Sequence, residues 1–495
     1  MLTILFFIFG VWIICKDNKA LSGKIGLLFI ISLIGFVVIS LLNKGLSISL
    51  FVYLVSVLLF LSVSGFVLLL ISGNKMAQTG IFLLLCYVST IILNDGKDKT
   101  TSDIQNVDPD GEFLMEINTS DLESINDVKG EFDLHITQAF TPLSTEITLL
   151  DDYVLIDIPS AHINEIKEIE AALQKTGKVK WIENNENIKF EFPVKGESTI
   201  VSSGQVTNDP SVSLQWHLIF LEMDKYYKLF SENSLKPTKK AKLFILDTGL
   251  DTRHEDLNVP GLKASIDKQG HGTHCAGVAA AITNNKIGVA SMSPGIDWVE
   301  IHAIQVIGDV GFGTQKTIIE GIIQAADQGA DVISMSLGGI TNQDREKAYN
   351  AAVKYANDKG AIVVVAAGNA NLDARRYSPA NAENVIAVSS VNDQKLKSGF
   401  SNNVQNIRMA LAAPGEKILS TTPTNSYQAF NGTSMATPQV AGLIAVMKSL
   451  RPNINTKQAF DIIDASGTVT ADISKTGKLI NPNRAITSLL GLPNL

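Results

Sequence analysis

The sequence has few cysteines and few charged residues, and these two scarcities exclude several classes of protein. Three cysteines in 495 residues are too few for the disulfide framework that holds small secreted domains together. Cys15, Cys86 and Cys275 also lack the close spacing of a zinc knuckle. Charged residues make up 18% of the chain and the formal net charge is −8. A basic surface for nucleic acid is therefore not expected, and we predict no nucleic-acid partner.

Long stretches without charge are concentrated in the first 94 residues. Residues 25–42, 46–72 and 76–93 carry no charged side chain, and residues 2–14 form a shorter apolar run. Because about 20 apolar residues span a bilayer as a helix, this pattern predicts an all-α transmembrane region of three or four helices over residues 1–94.

Lysines set the predicted orientation of that region. The loop of residues 16–24 holds Lys16, Lys19 and Lys24, and the positive-inside rule places it on the cytoplasmic side. Residues 95–495 then face the extracytoplasmic side. We therefore predict a multi-pass protein of the cell membrane that contacts the lipid bilayer through its N-terminal helices, with release of the catalytic part if the chain is cleaved.

A small α+β domain is predicted over residues 111–195, between polar linkers at 95–110 and 196–207. Strand-like runs flank residues 160–177, in which apolar side chains recur at helical spacing. From residue 208 to residue 490 the pattern changes to alternating strands and helices. That alternation predicts a parallel sheet with helices on both faces, in which sites gather at the carboxyl ends of the strands.

Four short blocks in this last region carry the chemistry. They are "ILDTGLDTRHEDL" (245–257), "GHGTHCAG" (270–277), "VVVAAGNAN" (363–371) and "FNGTSMATPQVAG" (430–442). Each is ambiguous by itself. Asp-Thr-Gly is also the signature of aspartic proteases, which need two such aspartates, whereas a second one is not found here.

The histidines and the serine have alternatives of their own. His271 and His274 could ligate a metal, but their spacing is three and no glutamate follows the first. Ser434 could be a helix N-cap. The glycines around Ser434 do not match the Gly-x-Ser-x-Gly elbow of α/β-hydrolases.

Together the four blocks supply Asp, His and Ser in that order along the chain, with an asparagine between the last two. A serine hydroxyl needs a base to take its proton, the base needs a carboxylate to orient it, and the oxyanion needs donors. The chain order Asp…His…Ser is that of subtilisin. From about residue 208 to about residue 486, the chain resembles the subtilisin-like serine proteases, or subtilases.

The resemblance implies a role for each of these residues. Asp247 orients the imidazole, His271 is the general base and acid, and Ser434 is the nucleophile. Asn369 donates its side-chain amide to the oxyanion. The implied activity is that of a serine endopeptidase, which hydrolyses polypeptide substrates through an acyl-enzyme intermediate and needs no cofactor for the chemistry.

The resemblance also implies a substrate cleft and a calcium site. The residues that bind substrate are Ser336, Leu337, Gly338, Ala367, Gly368 and Gly311. Ala370 follows the oxyanion asparagine, so we expect an apolar or aromatic preference rather than a basic one. The implied calcium ligands are Asp256 and Asn285 with the carbonyl groups of Thr283, Ile287 and Val289, a set of oxygen atoms that suits this ion.

Residues 111–195 resemble a subtilase propeptide, a domain that assists folding and inhibits the enzyme by placing its end in the active site. This domain is therefore an expected intramolecular partner. Its last strand runs into "NNENIKFEF" without an obvious cleavage site. The competing hypothesis from another functional class is a catalytically latent membrane sensor or scaffold built on a subtilase fold.

Overall fold

The computed structural model describes residues 111–190, 194–197, 207–260, 267–341 and 346–492. All of them belong to one compact unit, Asn106–Leu495. The segments predicted to cross the membrane (2–14, 25–42, 46–72 and 76–93) lie outside the described residues.

The first described part is an N-terminal α+β module, residues 111–185. Its strands are β1 (Phe113–Glu116), β2 (His135–Gln138), β3 (Tyr153–Asp157) and β4 (Trp181–Asn184). Its helices are α1 (Asn126–Glu131) and α2 (Ile166–Lys175), with 3-10 turns at Thr119–Ile125, Thr145–Ile147, Leu150–Asp152 and Ile163–Glu165. The strands form an antiparallel sheet in the order β2-β3-β1-β4.

Two short strands follow this module and pair with distant parts of the chain. Strand β5 (Asn187–Lys189) pairs with β9 (Phe312–Thr314), and β6 (Val194–Gly196) pairs with β17 (Ser426–Asn431), both antiparallel. We call residues 187–190, which are β5 and Phe190, the cleft segment.

The remaining residues, 207–492, form the parallel-sheet module. Its strands are β7 (Ala241–Asp247), β8 (Val299–Gln305), β9, β10 (Val332–Met335), β11 (Gly339–Ile340), β12 (Ile362–Ala366), β13 (Tyr377–Ser378), β14 (Ile386–Val391), β15 (Ala410–Pro414), β16 (Ile418–Thr422), β17 and β18 (Lys478–Leu479). Its helices are α3 (Trp216–Phe220), α4 (Met223–Glu232), α5 (His271–Ala280), α6 (Gln315–Asp327), α7 (Lys347–Asp358), α8 (Thr433–Leu450), α9 (Thr456–Ser466), α10 (Ile473–Thr476) and α11 (Pro482–Leu490), with 3-10 turns at Val212–Leu214 and Ala374–Arg376.

Seven strands of this module make one parallel sheet, in the order β18-β15-β14-β12-β10-β7-β8. Successive side chains of β7 enter opposite cores. Leu243 and Ile245 pack with α5 and α8, whereas Phe244 and Leu246 pack with α6 and α7. Because both faces are covered, the strand is apolar throughout rather than alternating. The predicted parallel sheet with helices on both faces is confirmed.

The sheet of the N-terminal module also packs into a different core on each of its two faces. Phe113 and Ile156 point to one face and pack with its own helices. Leu114 and Leu155 point to the other face and belong to the core of α6 and α7. One apolar core therefore joins the two modules.

Polar contacts at this junction involve the ends of two helices. Glu183, which is fully buried, accepts hydrogen bonds from the backbone N–H groups of Lys347 (3.1 Å) and Ala348 (3.2 Å), at the start of α7. Asn185 accepts one from Lys316 N (2.9 Å), at the start of α6. The first N–H groups of a helix lack partners within it and carry its positive dipole end, so these contacts fix the N-terminal module on both helices.

The predicted localisation in the membrane, with several spans and an extracytoplasmic catalytic domain, is wrong for the part of the chain that the structure describes. Among those residues, no helix combines the length and the apolar character needed to cross a bilayer. The longest of them, α8, has 18 residues, and nearly all its side chains are buried in the module. Its apolar composition is that of a core helix.

Candidate active site

Asp247 and His271 meet at the carboxyl edge of the parallel sheet. Asp247 is the last residue of β7, and His271 is the first residue of α5. His271 Nδ1 lies 2.7 Å from Asp247 Oδ1, and the two side chains are 1% and 0% exposed. A carboxylate only accepts hydrogen bonds, so Nδ1 carries the proton and Nε2 of the neutral ring is left as a base.

The electrostatics of this pair favour the protonated imidazole. Burial by itself lowers the pKa of His271, but the charge of Asp247 and its hydrogen bond raise that pKa well above its usual value of 6.5. Asp247 therefore stabilises the cation that forms when His271 accepts a proton.

A second carboxylate, Asp267, ties the end of β7 to the start of α5. Its Oδ1 accepts from the Thr248 hydroxyl (2.9 Å) and from Gly270 N (2.7 Å), and its Oδ2 accepts from Thr273 N (2.8 Å). These contacts hold the residues next to Asp247 and His271 in one frame. Asp267 was not predicted from the sequence, although an acid shortly before a helix start is a capping signal.

Ser434 lies in the first turn of α8, which begins at Thr433 with Gly432 as its N-cap. Its hydroxyl donates to the carbonyl oxygen of Ser336 (3.1 Å) in this structure. Ser434 is therefore a residue of the helix itself, and it is not the N-cap that the alternative interpretation required. Hydrogen bonds between catalytic groups are often formed only with substrate in place.

The carbonyl group of Ser434 has an unusual environment, because Pro438 four residues later has no N–H to donate to it. The Ser336 hydroxyl (2.9 Å) and the Cys275 thiol (3.4 Å) donate to this carbonyl oxygen instead. Cys275 Sγ also lies 4.0 Å from His271 Nε2. The backbone of Ser434 and the ring of His271 thus share Cys275 as a neighbour.

Asn369 faces the same turn from the end of β12. Its amide oxygen accepts from both the backbone N–H and the hydroxyl of Thr433 (2.9 Å each). With its oxygen engaged there, its Nδ2 is the group left to donate, and Nδ2 lies beside Gly432, at 3.7 Å from where a β-carbon would stand. Thr433 was not singled out in the sequence.

His274 points away from this site. Its Nε2 lies 3.0 Å from the carbonyl oxygens of Ile418 and Gln428, and its ring stacks on Phe430. Burial lowers the pKa of His274 to about 3. Because these contacts hold its Nε2 within the module, His274 does not form a metal pair with His271.

Asp247, His271 and Cys275 place one potential metal-ligand atom each within 4.8 Å of one another. Burial raises the pKa of the Cys275 thiol, which disfavours the thiolate that a metal would require. The proton shared between Asp247 and His271 also occupies one ligand atom of each. Hydrogen bonding accounts for this cluster better than metal binding.

The residues predicted to bind substrate lie around the same edge of the sheet. Ser336 and Leu337 follow β10 and are buried, and Gly338 is so close to Ser378 O that a β-carbon would stand 2.9 Å from it. Ala367 packs in a small apolar cluster with Ala374 and Val404 rather than lining a surface.

The cleft segment lies between β9 and Gly339. Its strand β5 is antiparallel to β9, with Ile188 opposite Gly313 and Lys189 opposite Phe312. Phe190 N donates to the carbonyl oxygen of Gly311 (2.9 Å), another of the predicted substrate-binding residues. On the other side, a β-carbon at Gly339 would stand 2.9 Å from Ile188 Cδ1. An extended peptide added to a strand edge is a common form of peptide recognition.

Side chains of the cleft segment alternate between the protein and the solvent. Ile188 is 1% exposed and Phe190 is 5% exposed, whereas Lys189 between them is exposed. The ring of Phe190 contacts the ring of His271 edge-on, with the centroids 4.5 Å apart. The chain therefore covers its own catalytic histidine candidate. The sequence indicated a strand in this stretch, but no local pattern placed it on His271.

The residues predicted to bind calcium lie together at another part of the module. Asp256 Oδ1 accepts from Asn285 Nδ2 (2.8 Å), and Asp256 Oδ2 accepts from Val289 N (2.9 Å). Gly288 lies so close that a β-carbon would stand 2.4 Å from Asp256 Oδ2. The loop is thus wrapped around this carboxylate. Asp209, which was not predicted from the sequence, accepts from Asn285 N (3.1 Å).

The donor set fits a cation. Asp209 and Asp256 are 2% and 0% exposed, and no lysine or arginine among the described residues forms an ion pair with either. Burial, together with the charge of Asp209, raises the pKa of Asp256 to about 7. Two buried carboxylates without a counter-ion are unfavourable, and calcium bound by oxygen atoms would relieve this cost.

Comparisons with known proteins agree with this geometry. The sequence profile of the subtilase family matches residues 238–477. Thermitase from Thermoactinomyces vulgaris is 44% identical over 218 residues, which are 42% of this chain and 75% of thermitase. Subtilisin DY from Bacillus licheniformis is 37% identical over 256 residues, which are 50% of this chain and 90% of that protein.

A thermophilic serine proteinase from Bacillus sp. (strain AK1) is 38% identical over 271 residues, which are 53% of this chain and 65% of that proteinase. The residues matched by the family profile, 238–477, include Asp247, His271, Asn369 and Ser434. The chain belongs to the subtilase family and is a subtilisin-like serine endopeptidase.

Proposed function

We propose that this endopeptidase cleaves polypeptides with Asp247, His271 and Ser434, and that residues 111–190 act as a propeptide that keeps it closed. The cleft segment is the observation that carries the proposal. It lies along β9 as an extended substrate would, and its Phe190 covers His271.

The proposed reaction begins with Nε2 of His271, which takes the proton of the Ser434 hydroxyl as that oxygen attacks the scissile carbonyl group. Asp247 stabilises the imidazolium through Nδ1. Asn369 Nδ2 and Ser434 N donate to the oxyanion of the tetrahedral intermediate. The imidazolium then protonates the leaving amine, and water hydrolyses the acyl-enzyme by the same steps with water in place of the hydroxyl.

Closure follows from two kinds of contact. The cleft segment fills the positions where substrate residues would pair with β9. Behind it, Glu183 and Asn185 hold the N-terminal module on the first turns of α7 and α6. Because this module is part of the same chain, its effective concentration at the cleft is high and a peptide substrate competes poorly.

Calcium is proposed as a structural ligand. Asp209, Asp256 and Asn285 would hold it with the carbonyl groups of Thr283, Ile287 and Val289. The ion would neutralise the buried carboxylates and fix the loop of residues 283–289. It would take no part in bond cleavage, since the site residues of the reaction lie elsewhere.

A catalytically latent scaffold is the less favoured alternative. An inert copy of the fold has no need for the hydrogen bond between Asp247 and His271, or for the orientation of Asn369 by Thr433. Both arrangements are present, and each suits a step of the reaction above.

The test is labelling with a fluorophosphonate probe, with the bands separated by size. We expect slow labelling of the intact chain and rapid labelling of a shorter chain that lacks residues 111–190. Ser434→Ala should abolish both bands. Labelling that survives Ser434→Ala would place the nucleophile elsewhere. Equal rates for the intact and shortened chains would refute the closure.

A further inference from the structure

Asn369 stands on a turn that belongs to no helix or strand. Strand β12 ends at Ala366, and the chain then turns sharply before Ala374. Gly368 has φ of +98° and Asn371 has φ of +54°, both in the left-handed region that costs free energy for most residues. An oxyanion donor on such a turn needs external support, because displacement of about 1 Å is enough to weaken catalysis.

The support comes from Asn402, a fully buried asparagine on a neighbouring loop. Its amide oxygen accepts from Ala370 N (3.1 Å) and Leu372 N (2.8 Å). Its amide nitrogen donates to Ala367 O (2.8 Å), and its backbone N–H donates to Gly368 O (2.9 Å). One residue therefore bonds to the turn on both sides of position 369.

The loop that carries Asn402 is itself fastened to the turn. Lys397 Nζ donates to Asn371 Oδ1 (2.8 Å) and to Ser401 O (2.6 Å). Asn371 N donates to Phe400 O (2.8 Å). The turn and the loop thus form one hydrogen-bonded body next to Ser434.

We infer that Asn402 is a positioning residue for the reaction, which sets the place of the Asn369 amide through the backbone on either side of it. The inference rests on the proposed role of Asn369 as an oxyanion donor. Only an amide side chain of this length both accepts from the N–H groups and donates to the carbonyl group. Aspartate would lose the donor, and serine is too short to reach both sides.

The turn has no room for a side chain at Gly368. A β-carbon on Gly368 would stand 2.4 Å from Asn402 Nδ2 and 2.7 Å from the ring of Tyr377. The turn is therefore packed directly on the amide of Asn402. Removal of that amide leaves a gap under the turn and frees the peptide groups that flank Asn369.

A double-mutant cycle tests the inference in the full-length chain, with rates divided by the concentration of titrated active sites. Asn402→Ala should lower kcat by about tenfold or more, up to the ~10²–10³-fold loss expected for a missing oxyanion donor, and leave KM unchanged. Asn369→Ala should give a loss in that range. Asn402→Ala should add almost nothing when Asn369 is already alanine, because it acts through Asn369.

Asn392→Ala is the matched control. Asn392 Oδ1 accepts from Gln394 N and Leu396 N (3.0 Å each), so it supports the turn of residues 392–396 by the same type of contact. It should lower the melting temperature at most, with kcat unchanged. Asn402→Ser, which places a short hydroxyl where the amide was, should recover part of the loss and supplies the test if the alanine variant does not fold.

The outcomes distinguish failure of the positioning role of Asn402 from failure of the oxyanion role of Asn369. An equal loss of kcat from Asn402→Ala in both backgrounds, or no loss at all, overturns the positioning role while Asn369 keeps its own. A normal kcat for Asn369→Ala refutes the oxyanion role of Asn369, and the coupling with it.

Discussion

The ring of Phe190 meets the ring of His271 at an interplanar angle of 72°, with the centroids 4.5 Å apart. Phe190 lies in sequence just after the N-terminal module, whereas His271 begins a helix of the parallel-sheet module. The side chain of His271 is only 1% exposed, and the ring of Phe190 packs against it. We therefore expect a substrate to displace this phenylalanine before it reaches the base, so that access to the site depends on the cleft segment.

Phe190→Ala should speed fluorophosphonate labelling of Ser434 in the intact chain. Burial of an aromatic side chain contributes about 1.5–3 kcal/mol, which corresponds to a roughly 10- to 150-fold change in the population of the open state. The labelling rate is measured on the full-length band alone, so that shortened chains do not contribute.

Lys189→Ala is the control for this prediction, because Lys189 belongs to the same strand but is exposed. It should label at the rate of the parent chain. Equal acceleration by both substitutions would mean that the strand as a whole, and not the ring over His271, limits access.

Much of the site could be predicted from the sequence because its parts lie in short local blocks. Asp247 ends a strand and His271 begins a helix, and both signals are local. The parallel sheet followed from the alternation of strands and helices over residues 208–490.

Other parts depend on contacts between residues far apart in the chain, which a local pattern cannot show. Asp209 and Asp256 are brought together by the loop that contains Asn285. Asn402 reaches a turn about thirty residues earlier. Phe190 has the pattern of an ordinary strand residue, and only the fold places it on His271. The predicted membrane localisation was wrong for the described residues, among which no helix is long and apolar enough to cross a bilayer.

Substrates should resemble the cleft segment. Peptides with isoleucine and phenylalanine at the positions of Ile188 and Phe190 should be cleaved with a higher kcat/KM than peptides with glycine at either position. Each buried side chain contributes about 1.5–3 kcal/mol, so each glycine should reduce kcat/KM roughly 10-fold or more.

The residue between these two positions supplies the control for the peptide series. Replacement of the peptide's lysine at this position by glutamate should change kcat/KM little, because the corresponding Lys189 is exposed. A series in which this exposed position has the largest effect would show that substrates do not bind in the register of the cleft segment.

Docking of the N-terminal module should weaken as the pH rises. Burial, followed by the charges of Glu186 and Glu183, raises the pKa of Glu346 from 4.5 to about 8. Glu183 and Glu186 belong to residues 111–190 and move away when these residues undock. The pKa of Glu346 is therefore lower in the undocked state. A group with a raised pKa stabilises the docked state fully below its undocked pKa, and this stabilisation is lost as the pH rises from about 4.5 to about 8.

Hydrogen exchange of the amides in β5 and β9, corrected for the chemical exchange rate, measures this effect in the Ser434→Ala chain, which cannot process itself. Glu346→Gln should flatten the pH dependence, whereas Glu232→Gln, at an exposed glutamate of α4, should leave it unchanged. Exchange in β5 that slows as the pH rises would contradict the expected weakening of the docked state.

Calcium should stabilise the parallel-sheet module through Asp209 and Asp256. A ligand that binds only the folded state at about 100 times its Kd stabilises that state by about 2.7 kcal/mol. Thermal unfolding of the Ser434→Ala chain should therefore shift upwards with calcium relative to a chelator. Asp209→Asn should remove most of this shift, because it takes away one of the two buried carboxylates. Asp393→Asn, at an exposed aspartate, should keep it. An equal calcium shift in Asp209→Asn and in the parent chain would place the bound ion at another site.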